Sequence, residues 1–280
     1  MKLLRFGPAG AERPGLLDRA GRIRDLSGVV GDIGPAELDP AQLGRLKTLD
    51  PAGLPAVEGE PRLGPPLTGI GNIVAIGLNY RDHATETKGT PPPEPIIFMK
   101  HTGSISGPFD AIPVPPQGSR LDWEAELAVV IGKPAHRIAE ADAWEHIAGY
   151  TICHDVSERD AQFKMQGQWC KGKSEPGFCP LGPYLVTRDE IPDPQAIAIR
   201  LSVDGEVMQD SSTAQMIFPV GFLVAYLSRF MRLLPGDVIT TGTPAGVGLG
   251  RKRFLAAGET VEITLTGLGT QRQTVVAVRG

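Results

Sequence analysis

Asp122-Trp123-Glu124-Ala125-Glu126-Leu127-Ala128-Val129-Val130-Ile131 starts with acidic residues at alternate positions and ends as an unbroken apolar run. In an extended chain, residues i and i+2 share a face, so Glu124 and Glu126 project together with Asp122 beside them. The apolar half predicts a strand over 123–131 that enters the core. Two carboxylates this close repel one another unless a proton or a cation lies between them. A solvated strand face is the ordinary explanation of Glu-x-Glu; the dive of the strand into the interior weakens it, and spacing alone does not overturn it.

Working outward, the apolar run 148–153 predicts a second strand, with Asp155 just past its end and a short helix predicted over 157–166. A carboxylate there is either a site group or a helix N-terminal residue favoured by the dipole. Together with Glu124 and Glu126 it would make an all-oxygen set, which suits Mg2+, with Mn2+ as the other choice. No Cys or His cluster has the spacing of a zinc site.

The rest of the chain predicts an α+β protein. Short strands are expected at 3–6, 15–17 and 22–26 and a helix over 35–46, followed by a Pro/Gly-rich connector over 51–66. Residues 1–68 are therefore expected to form a small N-terminal α+β domain, and 69–280 a catalytic domain. In the second unit, strands are expected at 72–76 and 96–99, and a helix over 139–147. A hairpin turns on Asp204-Gly205 between 197–203 and 206–209. A helix over 219–231 is apolar at 220, 223, 224, 227, 230 and 231, and strands at 238–240, 261–265 and 274–278 close the chain. Strands outnumber helices without βαβ alternation, which points to mixed, rolled sheets rather than a doubly wound sheet. The 35 glycines and 26 prolines are dispersed, as many turns require.

A formal net charge of −4 with no block of like charge argues against a nucleic-acid partner. No apolar run approaches the ~18 residues of a membrane span, and the charges and glycine within residues 1–7 do not read as a signal peptide. Three cysteines without a CxxC pair predict a reducing cytoplasm and no disulfide framework.

Three further segments carry chemistry. If 77–86 turns into a helix, His83 and Glu86 stand at i, i+3, where a carboxylate can orient an imidazole as a water-activating base; the alternative is an exposed, casual pair. Residues 167–174 match GxxxxGK[ST] literally, but a polar stretch precedes them and Glu175-Pro176-Gly177 follows, so nucleotide binding is rejected. Lys173 can still serve as a cation for an anionic intermediate. The turn 241–248, rich in Gly and Thr, can cradle a carboxylate or be merely structural.

Taken in order, several stretches resemble the fumarylacetoacetate hydrolase family. They are Gly77-Leu78-Asn79-Tyr80 with His83 and Glu86, Phe98-Met99-Lys100, Asp122-Trp123-Glu124 with Glu126-Leu127, and Gly149-Tyr150 with Asp155-Val156-Ser157, Arg159-Asp160 and Gln162. Gly172-Lys173-Ser174, Pro180-Leu181-Gly182-Pro183, Pro235–Ile239 and 241–248 complete the series, which covers about residue 70 onward. The resemblance implies a mixed β-roll or sandwich fold with a small leading domain, a homodimer, and metal-dependent hydrolysis of a C–C bond in a small keto-acid substrate. It assigns Glu124, Glu126 and Asp155 to the metal, His83 and Glu86 to water activation, and Lys173 to the enolate. Arg159, Gln162 and Thr243 are assigned to the keto-acid end of the substrate. The overall likeness is to members acting on 2,4-diketo-3-deoxy sugar acids of the L-rhamnonate or L-fuconate type, which yield pyruvate and lactate. Acylpyruvate or fumarylpyruvate hydrolysis and oxaloacetate decarboxylation are the alternatives, and a non-catalytic binding protein is the alternative of another class. His154 and Glu175-Pro176-Gly177 depart from the family pattern, which bears on substrate choice.

Overall fold

The run 127–131 is apolar at every position because both faces of its strand are covered. In the computed structural model, which describes residues 1–86, 90–116 and 120–277, the strand Ala125–Ile131 lies inside a ten-stranded sheet. Leu127, Val129 and Ile131 face a core shared with Ile199, Leu201 and Ile263 of a second, five-stranded sheet. Ala128 and Val130 face the opposite way, onto Leu26, Ile33, Leu38 and Leu46 of the N-terminal segment.

Ala125–Ile131 pairs antiparallel with Ile147–His154, placing Cys153 opposite Glu126 and His154 opposite Ala125. On its other side is Val238–Thr240, then Ile73–Gly77 in parallel, then Ile96–Lys100. Cys179–Thr187 follows Ile147–His154 and pairs with Lys2–Phe6, which leads to Arg13–Leu17 and Ile23–Asp25 at the edge. The first 68 residues thus extend the same sheet through three strands and share a core with it. Arg62 reinforces the join: its guanidinium donates to both carboxylate oxygens of Asp110, at 2.8 and 2.6 Å, and to Glu12 at 2.8 Å.

Most predicted elements are present, with shifted ends. The helix expected over 35–46 is Pro40–Lys47, because Pro40 has no N–H to give and fits only the first turn, where the Asp39 carboxylate accepts from the Ala41 amide. The helix expected over 139–147 is a 3-10 segment, Glu140–His146, cut short because Ile147 already enters a strand. In place of a helix over 157–166, Ser157–Glu158 pairs with Leu121–Asp122, and the Glu158 carboxylate caps the helix Arg159–Lys164. The helix expected over 219–231 is Val220–Ser228. The hairpin turns at Asp204 and Gly205 with φ of 49° and 82°, the left-handed pair a two-residue turn needs. The last strand is Gly269–Ala277; Val278, the end predicted for it, lies outside the described residues. No described helix is long and apolar enough to cross a membrane. Cys153, Cys170 and Cys179 are free thiols.

Candidate metal centre and active site

The antiparallel register carries Glu126 and Asp155 to the same end of the sheet. Glu124 precedes the strand proper, and its carbonyl accepts from the Asp155 amide at 2.9 Å, which fixes the two crossing segments to each other. Ligand oxygens of Glu124, Glu126 and Asp155 all lie within 4.8 Å of one another, and all three residues are buried.

Fixed cations surround them. Lys173 Nζ donates to Glu124 Oε2 and to Asp155 Oδ2, both at 2.7 Å. Lys100 Nζ donates to Asp155 Oδ1. Arg159 donates to Glu124 Oε1 at 2.6 Å, to Asp122 Oδ2 at 2.7 Å and to Gln162 Oε1 at 2.9 Å. Asp122 in turn accepts from the amides of Gly248 and Leu249. Burial alone would raise the Glu124 carboxyl, but Lys173 and Arg159 outweigh it and hold Glu124 well below the usual carboxylate range. Glu126 goes the other way. Burial, with Asp155 and Glu124 close by, pushes it well above that range, and the Gly242 amide at 2.8 Å offsets little. Burial likewise depresses Lys100, yet Asp155 more than compensates and keeps it charged.

The donor set tests well for a cation. It is all oxygen, it holds the Lys173 ammonium between two of its carboxylates, and its third carboxylate calls for a proton or a further positive charge. Glu124, Glu126 and Asp155 can therefore hold a hard metal ion.

His83 and Glu86 lie on the helix Arg81–Glu86, just after the strand Ile73–Gly77. Their Nδ1 and Oε2 are 3.2 Å apart. Burial raises the Glu86 carboxyl, but His83 and the Gly246 amide, 3.0 and 3.1 Å from its two oxygens, bring it below its ordinary value. The Gly-rich turn thus cradles carboxylates of the chain itself: Gly242 holds Glu126 and Gly246 holds Glu86. Gly246 has φ of 104°, and a Cβ there would fall 2.0 Å from the Met208 carbonyl oxygen, so a side chain is excluded on both grounds. Thr243 lies in the same turn. Its hydroxyl donates to the Ala125 carbonyl at 2.9 Å and accepts from Gln209 at 2.8 Å, which places it beside the strand between Glu124 and Glu126.

Of the predicted site residues, Lys173, Arg159 and Gln162 join the three carboxylates, while the turn that holds Glu126 also holds Glu86, the partner of His83. Lys100 was named in the sequence only as part of a motif. Nothing in Phe98-Met99-Lys100 by itself distinguishes a buried ammonium from a surface lysine; the signal was a lysine ending an apolar strand. His154 does not face the carboxylates. Its Nδ1 is 3.0 Å from Gln273 of the second sheet, and burial lowers its pKa to about 4, so it is neutral. Glu175 and Pro176 are exposed. A cavity of about 960 Å³ opens at the N-terminal edge near Asp18, Arg22 and Lys47, and none of these site residues lines it.

Residues 72–276 match the model for the Fumarylacetoacetate (FAA) hydrolase C-terminal family. The chain belongs to the fumarylacetoacetate hydrolase family. Its mixed sheets with few, short helices are the fold of that family, and the α+β expectation holds. A Burkholderia cenocepacia protein named only as an unproven hydrolase is 52% identical over 276 residues, covering 98% of each chain. Among solved structures, the fumarylacetoacetate hydrolase of the psychrophile Exiguobacterium antarcticum is 36% identical with a TM-score of 0.89, over 99% of this chain and 100% of that one. A 2-hydroxyhepta-2,4-diene-1,7-dioate isomerase from Mycobacterium marinum is 34% identical with a TM-score of 0.77, over the full length of both. Members of the fumarylacetoacetate hydrolase family act on small oxo acids, so a small molecule is the substrate class.

Proposed function

We propose that this chain is a Mg2+-dependent hydrolase that cleaves the C3–C4 bond of 2,4-diketo acids, giving pyruvate and a carboxylic acid. The observation that carries this reading is the buried cluster of Glu124, Glu126 and Asp155 with Lys173 bridging two of them. Mg2+ bound there would supply a Lewis acid for the carboxylate and 2-keto oxygen of the substrate. The chain's own residues do the rest. His83, oriented by Glu86, takes a proton from water as it adds to the C4 carbonyl. Collapse of the adduct breaks C3–C4, the electron pair passing into the pyruvate enolate, whose negative charge the Lys173 ammonium offsets. Protonation at C3 completes pyruvate. Lys100 and Arg159, each tied to cluster carboxylates, keep these oxygens in place.

We put 2,4-diketo-3-deoxy sugar acids of the L-rhamnonate or L-fuconate type first among substrates, with lactate as the second product; the resemblance in sequence motifs supports this choice. The test is a panel of these compounds, simple acylpyruvates, fumarylpyruvate and oxaloacetate, each with Mg2+, scoring pyruvate and its co-product. Equal molar pyruvate and lactate from the deoxy sugar acid is the expected result. Metal binding without pyruvate from any 2,4-diketo acid would sink the hydrolase reading. CO2 from oxaloacetate as the dominant activity would make the enzyme a decarboxylase. A shifted double bond without cleavage, in a dioate like that of the Mycobacterium relative, would make it an isomerase. The homodimer implied by the same likeness is checked by light scattering of the purified chain.

A further inference from the structure

The carboxylate cluster is closed on most sides by its own partners. Lys100, Arg159 and Gln162 are buried, and the turn 241–248 covers Glu126. One neighbour is different. Phe98 sits two residues before Lys100 on the strand Ile96–Lys100, and so on the same face, and its ring centroid is 5.4 Å from Lys173 Nζ. It is only half-buried. Trp169 packs edge-on against Phe98, with centroids 5.3 Å apart, and Phe163 packs edge-on against Trp169 at 6.0 Å. Phe163 and, two residues on, Met165 are 44% and 45% exposed. Three rings therefore run without a break from the Lys173 ammonium to solvent. Trp169 is seated by Gly77, where a Cβ would stand 2.6 Å from the indole Cζ3. Gly77 ends the strand that leads to His83 and Glu86, so the wall and the His–Glu helix meet at the same strand end.

Nothing in the fold requires large apolar side chains to remain exposed at this place, and exposed apolar surface beside a site has a use when it meets ligand. We propose that Phe98, Trp169 and Phe163 form the subsite for the half of the substrate beyond C4, and that they select chains ending in a methyl, alkyl or aryl group over chains ending in a carboxylate. This rests on the reading of the cluster as the keto-acid site and narrows its substrate class. For deoxy sugar acids it is the terminal methyl that meets the wall. A carboxylate end would lose water against the rings, and Lys173 is already engaged by Glu124 and Asp155. One methylene more or less in an apolar pocket is worth about ten- to two-hundredfold, and stripping water from a carboxylate costs no less.

Two six-carbon 2-oxo acids without a C4 ketone test the wall apart from hydrolysis. Neither 2-oxohexanoate nor 2-oxoadipate can be cleaved, so their binding to the Mg2+-loaded protein is measured by calorimetry. 2-Oxohexanoate is expected to bind at least about tenfold tighter, and Trp169→Ala to reduce that ratio to under about threefold. Loss of structure would weaken both acids alike and leave their ratio standing. If Trp169→Ala does not fold, Phe163→Ala removes a half-exposed ring and must lower the ratio as well. Equal affinities, or a ratio that neither variant changes, would overturn the proposal. Tighter 2-oxoadipate would do so too and would assign the outer end to a cation such as Lys171, whose Nζ lies 3.4 Å from the Met165 carbonyl. Failure of the pyruvate assay with this selectivity intact would overturn the hydrolase reading alone.

Discussion

The carboxylate cluster and the His83–Glu86 pair are both built from ionisable side chains, yet the fold treats them in opposite ways. In the cluster, Asp155, Glu124, Lys173 and Arg159 each make at least two short charged contacts, and Glu124 and Asp155 flank two strands that pair with each other. The pair rests on a six-residue helix, where His83 Nδ1 and Glu86 Oε2 are 3.2 Å apart and one turn amide, that of Gly246, reaches both Glu86 oxygens. Charges that hold an ion must not move, because an uncompensated buried charge is expensive. A group that takes and returns a proton needs access to water and to substrate. The difference means that mutations in the cluster should damage stability and chemistry together, whereas mutations in the pair should damage chemistry alone.

The largest effect is expected for Asp155→Ala. It removes a metal ligand and leaves the Lys100 ammonium, wholly buried, without its ion-pair partner. Breaking a buried pair from one side typically costs about 3–5 kcal/mol, so the urea midpoint should fall sharply, and calorimetry should find no Mg2+ binding. Unchanged stability would show that water reaches Lys100 and that the cluster is looser than its contacts indicate. His83→Ala comes next. Loss of a general base typically costs about a hundredfold or more in turnover, while Mg2+ affinity and the urea midpoint should match wild type. If Mg2+ affinity fell with it, the two regions would be one unit and the contrast would fail.

Gly77→Ala tests the border between them. The added Cβ must displace Trp169, and overpacking of this kind costs about 1–3 kcal/mol. Because the ring packs on Phe98 and Phe163 rather than on the cluster carboxylates among the described residues, the Mg2+ affinity should stay and the preference for 2-oxohexanoate should shrink.

The same contrast governs how much could be read from the sequence. The cluster was legible because strand alternation projects Glu124 and Glu126 together and because Asp155 follows an apolar run; both are local facts. Its cations were less so. Lys100, Lys173 and Arg159 reach the cluster through pairings between segments 18 to 55 residues apart, and spacing along one chain does not encode such pairings. Helix ends slipped wherever a neighbouring strand competed, at Ile147 and at Ser157. Composition suggests a separate N-terminal unit, but its strands join the large sheet through a partner at 179–187, which no local pattern announces.

That join supplies the smallest prediction. Arg62 clasps Asp110 and Glu12 across it, and all three side chains are partly accessible or near the surface. Burial raises both carboxyls, but the Arg62 guanidinium outweighs it and holds Glu12 and Asp110 below their ordinary values. A carboxyl with a depressed folded-state pKa stabilises the fold above its unfolded pKa, and the contribution is lost as pH falls through the folded value. Arg62→Ala should therefore lower stability by about 1 kcal/mol near neutral pH, the range for a partly exposed ion pair. Below the carboxylate range the wild type loses the same contribution, so the two urea midpoints should converge in acid. A difference that persisted there would mean that Arg62 acts through packing of its stem, and that the N-terminal strands are held by the shared core alone.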